Sequence, residues 1–310
     1  MSDQCSDTVF LVRPAAFGFN AETAATNRMQ RASPSGGEAA RARAVLEFDG
    51  LVAALRSEGI TTCVVDDTPD PVKPDAVFPN NWVSWHADGT VVLYPMCAPN
   101  RRLERRSEIL DQVAAATGHP RRRVLDLTAH ERDGRFLEGT GSLVLDHVQR
   151  IAYACRSPRT DEQVLAEWCA AMNYEAEIFD ATDRDGVPLY HTNVLMGIGR
   201  NFAAIGAGCI AVADRERVLA RLAAGGREVI ALGRAEIEAF AGNLLELATW
   251  DEALGDSGVV VLSATARAGL APDTLARLAA CTDALIAAPV PTIEQLGGGS
   301  VRCMIAEVFH

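Results

Sequence analysis

The chain has 310 residues, 48% of them hydrophobic and 23% charged, so it can bury a sizeable core and is not a disordered tail protein. Twenty-nine Lys and Arg against 41 Asp and Glu give a net charge of −12, which repels phosphate backbones and argues against a nucleic-acid partner. No apolar run reaches the roughly 18 residues that a membrane span needs, and the residues from Met1 to Asp7 lack a basic region followed by an apolar one, so a cytoplasmic protein without a membrane partner is expected.

Length alone suggests about two domains, but the pattern along the chain points to one. A strand at 8–12 is followed by a Ser/Gly-rich stretch at 32–37 that reads as a mobile surface loop near the amino terminus, expected to help cover a site, then a helix over 39–57 and a strand at 61–65. The same order returns as strand 91–94, helix 102–116 and strand 124–127, with Pro99-Asn100 opening the helix. It returns again as 151–154, 160–172 and 176–179, with Ser157, Pro158 and Thr160 at the helix start. The last two copies are 203–207, 214–224 and 228–232, and 259–263, 272–282 and 284–287.

Five copies of one unit, at a period of roughly 50–60 residues, predict similar modules stacked around an axis and closed into a ring. The whole chain, 1–310, then forms a single α/β-propeller domain. After each module comes a segment in which polar residues interrupt an apolar stretch: DAVFPNNW (75–82), FLEGTGS (136–142), YHTNVLMG (190–197), FAGNLLEL (240–247) and GGGSVRCM (297–304). Asn81, Glu138, His191, Asn243 and Cys303 recur at spacings of 57, 53, 52 and 60 residues, and a fivefold arrangement brings them together at the axis.

Cysteine, histidine and glutamate at equivalent positions supply a nucleophile, an acid/base group and an orienting partner. Three glycines and Ser300 before Cys303 allow close approach of the backbone to a ligand. The eight cysteines contain no Cys-x-x-Cys pair, so neither a zinc cluster nor a disulfide framework is signalled. His86, His119, His130 and His147 sit among polar neighbours and are expected at the surface.

With these residues in view, the chain resembles the amidinotransferase and guanidino-group-modifying superfamily, which includes arginine deiminases, dimethylarginine dimethylaminohydrolases and succinylarginine dihydrolases. It is most similar to the citrulline-utilisation hydrolase type, through LVRPAAFGFN at 11–20, VFPNNW at 77–82, NRRLERR at 100–106, LEGTGS at 137–142, HTNV at 191–194 and GGGSVRC at 297–303. The resemblance implies a pseudo-fivefold α/β propeller, the pentein fold, working without cofactor or metal. It makes Cys303 the nucleophile, His191 the general acid/base and Glu138 the acidic group that binds substrate nitrogens.

Arginine deiminases place carboxylates where this chain has Asn80-Asn81 and Asn193. Amides suit a neutral ureido group, so the expected reaction is hydrolysis of citrulline to ornithine, ammonia and carbon dioxide. Module spacing favours Asn81 over Asn80 as the inward-facing residue. By likeness to the dimethylarginine hydrolases, Arg102 and Arg159 are expected to bind the substrate carboxylate; Arg105 and Arg106 read as a solvated helix face. Arg13, Phe17, Asn20 and Phe78 are further candidates for the pocket wall. The alternatives are an arginine deiminase or dihydrolase, a dimethylarginine-type hydrolase, an amidinotransferase and a non-enzymatic propeller binding protein. The expected partner is a small amino acid, with a homodimer allowed.

Overall fold

The computed structural model describes residues 4–32, 37–251 and 255–310. Most of the loop expected at 32–37 lies outside the described residues. The helices begin and end where local chemistry directs. In Glu38–Ser57 the buried Ala44, Phe48, Leu51, Val52 and Leu55 recur at helical spacing and form one apolar stripe. Asp161 caps Glu162–Met172 by accepting from the Gln163 and Val164 amides, and Asn173 ends that helix in a left-handed conformation. Gly118 does the same for Ser107–Thr117.

The strand before each helix has both faces covered and therefore reads as a continuous apolar run; Ile151–Cys155 is buried at every position. That strand is the centre of a three-stranded sheet, and the described residues form five such sheets. On one side the centre pairs in parallel with the strand after the helix, as Thr8–Arg13 does with Thr61–Asp66. On the other it pairs antiparallel with a short strand. These short strands are Val83–Trp85, Val144–Asp146, Met196–Ile198, Leu245–Asp251 and Ala306–Glu307. Several touch their counterparts in neighbouring sheets, which identifies them as the inner wall of the ring.

Four inner strands come from the chain just ahead of their own sheet. The fifth comes from the carboxyl end: Ala306 pairs with Phe10 and Glu307 with Val9, so the last strand completes the first sheet and closes the ring. At the hairpin end of the inner strands, ion pairs tie neighbouring modules, with the buried Arg227 bidentate to Asp146 (2.5 and 3.1 Å) and the partly buried Arg200 on Glu246 (3.2 Å). Among the described residues no helix is long and apolar enough to cross a membrane.

His86 corrects a surface expectation. It is buried, its Nε2 lies 2.8 Å from Ser84 Oγ, and Ser84 in turn meets the Tyr94 hydroxyl at 2.7 Å. The polar neighbours in sequence belong to a hairpin tip, whereas the ring itself packs beside Trp168. His147 is half-buried against Tyr174 and Phe309, while His119 and His130 are partly exposed. Burial pushes His86 down to about 4 from 6.5. The unfolded chain then takes up protons first, so this contribution to stability is complete above pH 6.5 and is lost as pH falls through 4. Melting temperature should therefore drop progressively over that interval, at about 1.4 kcal/mol per unit of depression. Circular dichroism melts of wild type and His86→Gln test this; the variant should show the shallower pH slope.

Candidate active site

Each connection from an outer strand to the inner strand of the next sheet passes the ring axis. That path sets the five recurring residues. Asn81 ends the turn Pro79–Asn81, Glu138 precedes the turn Gly139–Ser142, and His191 precedes Thr192–Val194. Asn243 lies two residues before Leu245–Asp251, and Cys303 sits in the turn Val301–Met304. All five side chains are buried. Two glycines permit the crowding: a Cβ on Gly139 (φ +48°) would lie 2.2 Å from the Asn80 carbonyl, and one on Gly141 would lie 2.6 Å from Asn81 Nδ2 and 2.7 Å from His191 Nδ1.

Glu138 is the electrostatic centre. Its Oε2 meets His191 Nε2 at 2.8 Å and Arg159 Nη1 at 3.2 Å, its Oε1 accepts from the Cys97 amide at 3.0 Å, and Arg101 Nη1 stands at 3.9 Å. Burial alone would raise this carboxyl, but Arg159, His191 and Arg101 together outweigh it and hold the group well below the usual carboxylate range. An ionised carboxylate only accepts, so His191 Nε2 carries the proton and Nδ1 is left with a lone pair. Burial pushes the His191 imidazole down to about 4, with Glu138 only partly offsetting it. The ring is neutral at pH 7.

Cys303 Sγ receives two amides, Asn243 Nδ2 at 3.2 Å and Asn193 Nδ2 at 3.4 Å. Asn81 faces the same cavity as Cys303 and His191, with Phe78 and Tyr190 in its wall. Asn80 is turned aside: its Nδ2 donates to Thr140 Oγ1 (3.2 Å) and its Oδ1 accepts from Asn81 Nδ2 (2.9 Å). The placement agrees with the choice of Asn81 from spacing.

Arg159 reaches the cavity as expected, lying over the Tyr190 ring and bonded to Thr23 O and Thr26 Oγ1. Arg102 does not. Residues Pro99–Glu104 form a 3₁₀ helix rather than the start of an α-helix at 102, and three residues per turn put Arg101 and Glu104 on the buried face. Arg101 is bidentate to Glu104 (2.9 and 3.0 Å) and donates to Asn81 Oδ1 at 2.7 Å. Arg102 instead donates to the Met96 and Cys97 carbonyls and neighbours Glu131. Arg13 is also absent from the pocket, held at the surface by Asp49 (2.8 and 2.7 Å). Phe17 packs behind Gly297.

Asp75 is a wall residue that sequence reasoning missed, although it opens the DAVFPNNW segment. Its Oδ2 accepts from Asn20 Nδ2 (2.8 Å) and Thr23 Oγ1 (3.3 Å), while Oδ1 is buried without a hydrogen-bond partner beside the cavity. Asn20 thus positions Asp75. Lys73, the only lysine in the chain, clips the same segment from behind: its buried Nζ meets the Thr68 and Pro71 carbonyls and Asp67. Above the cavity, Asn27 Nδ2 binds Gly297 O (3.1 Å) and the Arg31 amide binds Gln295 O (2.7 Å). The space left there is about 10 Å³, room for roughly one water. The segment around residues 20–31 covers this side of the cavity through these bonds and those to Arg159.

Removing Arg101 would strand Glu104 in the interior, so Arg101→Ala should lose about 3–5 kcal/mol of stability. The half-exposed Arg102 should lose under about 1 kcal/mol on the same change. Urea denaturation of the two variants decides between these arginines, and equal losses would contradict the assignment.

The family model for N,N dimethylarginine dimethylhydrolase, eukaryotic, matches residues 13–310. No curated protein sequence matches the chain. Among solved structures, the N-terminal domain of ArgZ in a mutant bound to substrate, described as an arginine dihydrolase from the ornithine–ammonia cycle in Cyanobacteria, is 15% identical at a TM-score of 0.73, with 98% of each chain covered. AgrE in a ternary complex with ornithine and NAD+ is 18% identical at 0.73, covering 100% of this chain and 40% of AgrE. A dimethylarginine dimethylaminohydrolase adduct with S-methyl-L-thiocitrulline is 16% identical at 0.64, covering 97% and 99%. These likenesses give the pentein fold. Because the family match runs from Arg13 to the last residue, the chain belongs to the N,N-dimethylarginine dimethylhydrolase family and is a hydrolase of carbon–nitrogen bonds other than peptide bonds.

Proposed function

We propose that the protein hydrolyses the ureido group of a free amino acid, citrulline first, through a covalent adduct on Cys303. The observation that carries this reading is the pair of amides, Asn81 and Asn193, near the reacting sulfur, where a guanidinium-binding enzyme of this type would present carboxylates. Asn81 Oδ1 is held by Arg101, and Asn193 stands against Cys303. A neutral ureido group meets no charge mismatch there.

In the proposed reaction Cys303 Sγ attacks the ureido carbon as its proton passes to His191 Nδ1, and His191 gives that proton to the departing nitrogen, which leaves as ammonia. The thiocarbamate on Cys303 is then attacked by water, whose proton passes through His191 to the departing sulfur and restores the thiol and the neutral ring. The released carbamate breaks into carbon dioxide and ornithine. Glu138 accepts from His191 Nε2 and orients the ring throughout. Arg159 is assigned to the substrate carboxylate, and the unpartnered Oδ1 of Asp75 to its ammonium group. Phe78 and Asn20 complete the wall, the second through Asp75.

Arginine is the second reading, favoured by the ionised Glu138, which suits a cation, and in keeping with the arginine dihydrolase activity given for ArgZ. Two measurements test the assignments. Cys303→Ala should abolish turnover with the fold intact, and acid quench of wild type during turnover should leave a mass adduct on the peptide carrying Cys303; an adduct on another cysteine overturns the nucleophile. A carboxylate in place of Asn81 still accepts from Arg101 and would gain about 4 kcal/mol from a guanidinium at 4 Å with an effective dielectric near 20, before desolvation. Asn81→Asp should therefore raise the arginine-to-citrulline ratio of kcat/KM by about tenfold or more. Wild type already preferring arginine would exchange the two readings.

A further inference from the structure

Asn80 is fully buried and turned away from the cavity, yet both atoms of its amide are engaged with residues next to it. We propose that Asn80 and Thr140 are positioning residues that set substrate specificity: with Arg101 they form a one-way chain of hydrogen bonds that locks the Asn81 amide and leaves one N–H of its Nδ2 for the ureido oxygen. The inference rests on the ureido hydrolysis proposed above.

The direction of the chain is forced from both ends. A guanidinium only donates, so Arg101 Nη1, 2.7 Å from Asn81 Oδ1, fixes that atom as the amide oxygen. Arg101 is held in turn by Glu104, which its Nε and Nη2 grip at 2.9 and 3.0 Å. Asn81 Nδ2 then donates to Asn80 Oδ1 at 2.9 Å, which leaves Asn80 Nδ2 to donate to Thr140 Oγ1 at 3.2 Å. Thr140 directs its own proton to the Asn80 carbonyl at 3.4 Å, so its oxygen is free to accept. Turning either amide over would set donor against donor, at Arg101 or between the two asparagines.

An amide nitrogen carries two hydrogens. One of those on Asn81 Nδ2 goes to Asn80, and the other meets no acceptor among the described residues. That nitrogen stands beside the acid/base ring, since a Cβ on Gly141 would touch both Asn81 Nδ2 and His191 Nδ1. A ureido oxygen accepts such an N–H, whereas a guanidinium presents only donors and leaves it unpaired. A site built to bond one polar atom rejects the analogue that lacks it, because a buried group without a partner costs more than the bond gains. That discrimination requires an amide that cannot turn, and the chain through Asn80 to Thr140 supplies the constraint on the nitrogen side while Arg101 supplies it on the oxygen side. Asn81 borders the cavity and Asn80 and Thr140 do not, so their effect on a substrate passes through Asn81.

The test is steady-state kinetics of the whole protein on citrulline, with arginine as second substrate or inhibitor. Asn80→Ala removes the acceptor that holds Asn81 Nδ2 and should raise KM for citrulline by about two- to tenfold, with kcat and the response to arginine changing less. Asn80→Asp returns an acceptor facing Asn81 and should bring the citrulline KM back toward wild type, which a role in filling space alone would not require of it. Thr140→Val, close to the same shape, should raise the citrulline KM in the same direction, and Thr140→Ser, which keeps the hydroxyl, should not; this pair carries the test if the Asn80 variants do not fold. A citrulline KM coinciding with wild type in folded Asn80→Ala or Thr140→Val, or an equal loss on both compounds, overturns the lock. Failure of the underlying reading shows separately, as wild type that does not turn over citrulline, and withdraws the lock with it.

Discussion

Cys303 reaches the ring axis because two residues at the end of the chain, Ala306 and Glu307, pair with Val9 and Phe10 at its beginning. That contact supplies the inner strand of the first sheet and completes the ring. Four of the five site residues are placed by modules local in sequence, but the sulfur depends on a pairing between chain ends almost three hundred residues apart. The ring must close before thiol, imidazole and amides share one cavity.

Convergence alone would be unfavourable, since it gathers Asp75, Glu104 and Glu138 in a dry interior. Two guanidiniums resolve this. Arg101 takes Glu104 bidentately and reaches Asn81, while Arg159 takes Glu138 and the covering segment. Buried carboxylates require such partners, and arginine, with five donors in a fixed fork, supplies several bonds at once. The result is an ionised Glu138 beside a neutral His191, a pair whose protonation states are set by the scaffold before any substrate arrives.

The two ends of the ring are unequal. At the site end the connections between sheets crowd together and leave space for little more than a water. At the hairpin end a cleft of about 630 Å³ opens between Asp7, His86, Arg150 and Tyr174, and its lining includes neither Cys303 nor Glu138. Arg159 bonds both to Glu138 and to Thr23 and Thr26 of the covering segment, so one guanidinium joins that segment to the charged centre of the site.

The sequence by itself determined the modular architecture and its axis. Helix and strand positions follow from hydrophobic period, and the regular spacing singled out Asn81, Glu138, His191, Asn243 and Cys303, because equivalent points of a repeat must meet in a closed ring. Tertiary structure decided what periodicity does not encode. A change from α to 3₁₀ geometry over Pro99–Glu104 turned Arg101 inward and Arg102 outward, although the two are adjacent and chemically identical. His86 was read as exposed from its polar neighbours, but its environment is the packing of a neighbouring module. Asp75 carried no spacing signal, and its role in the wall depends on Asn20, 55 residues away. Which amide atom of Asn243 faces the sulfur was likewise set by a distant backbone N–H, that of Arg302. Periodicity records which face of an element is apolar; the partner of each polar atom on that face is fixed only when separate modules come into contact.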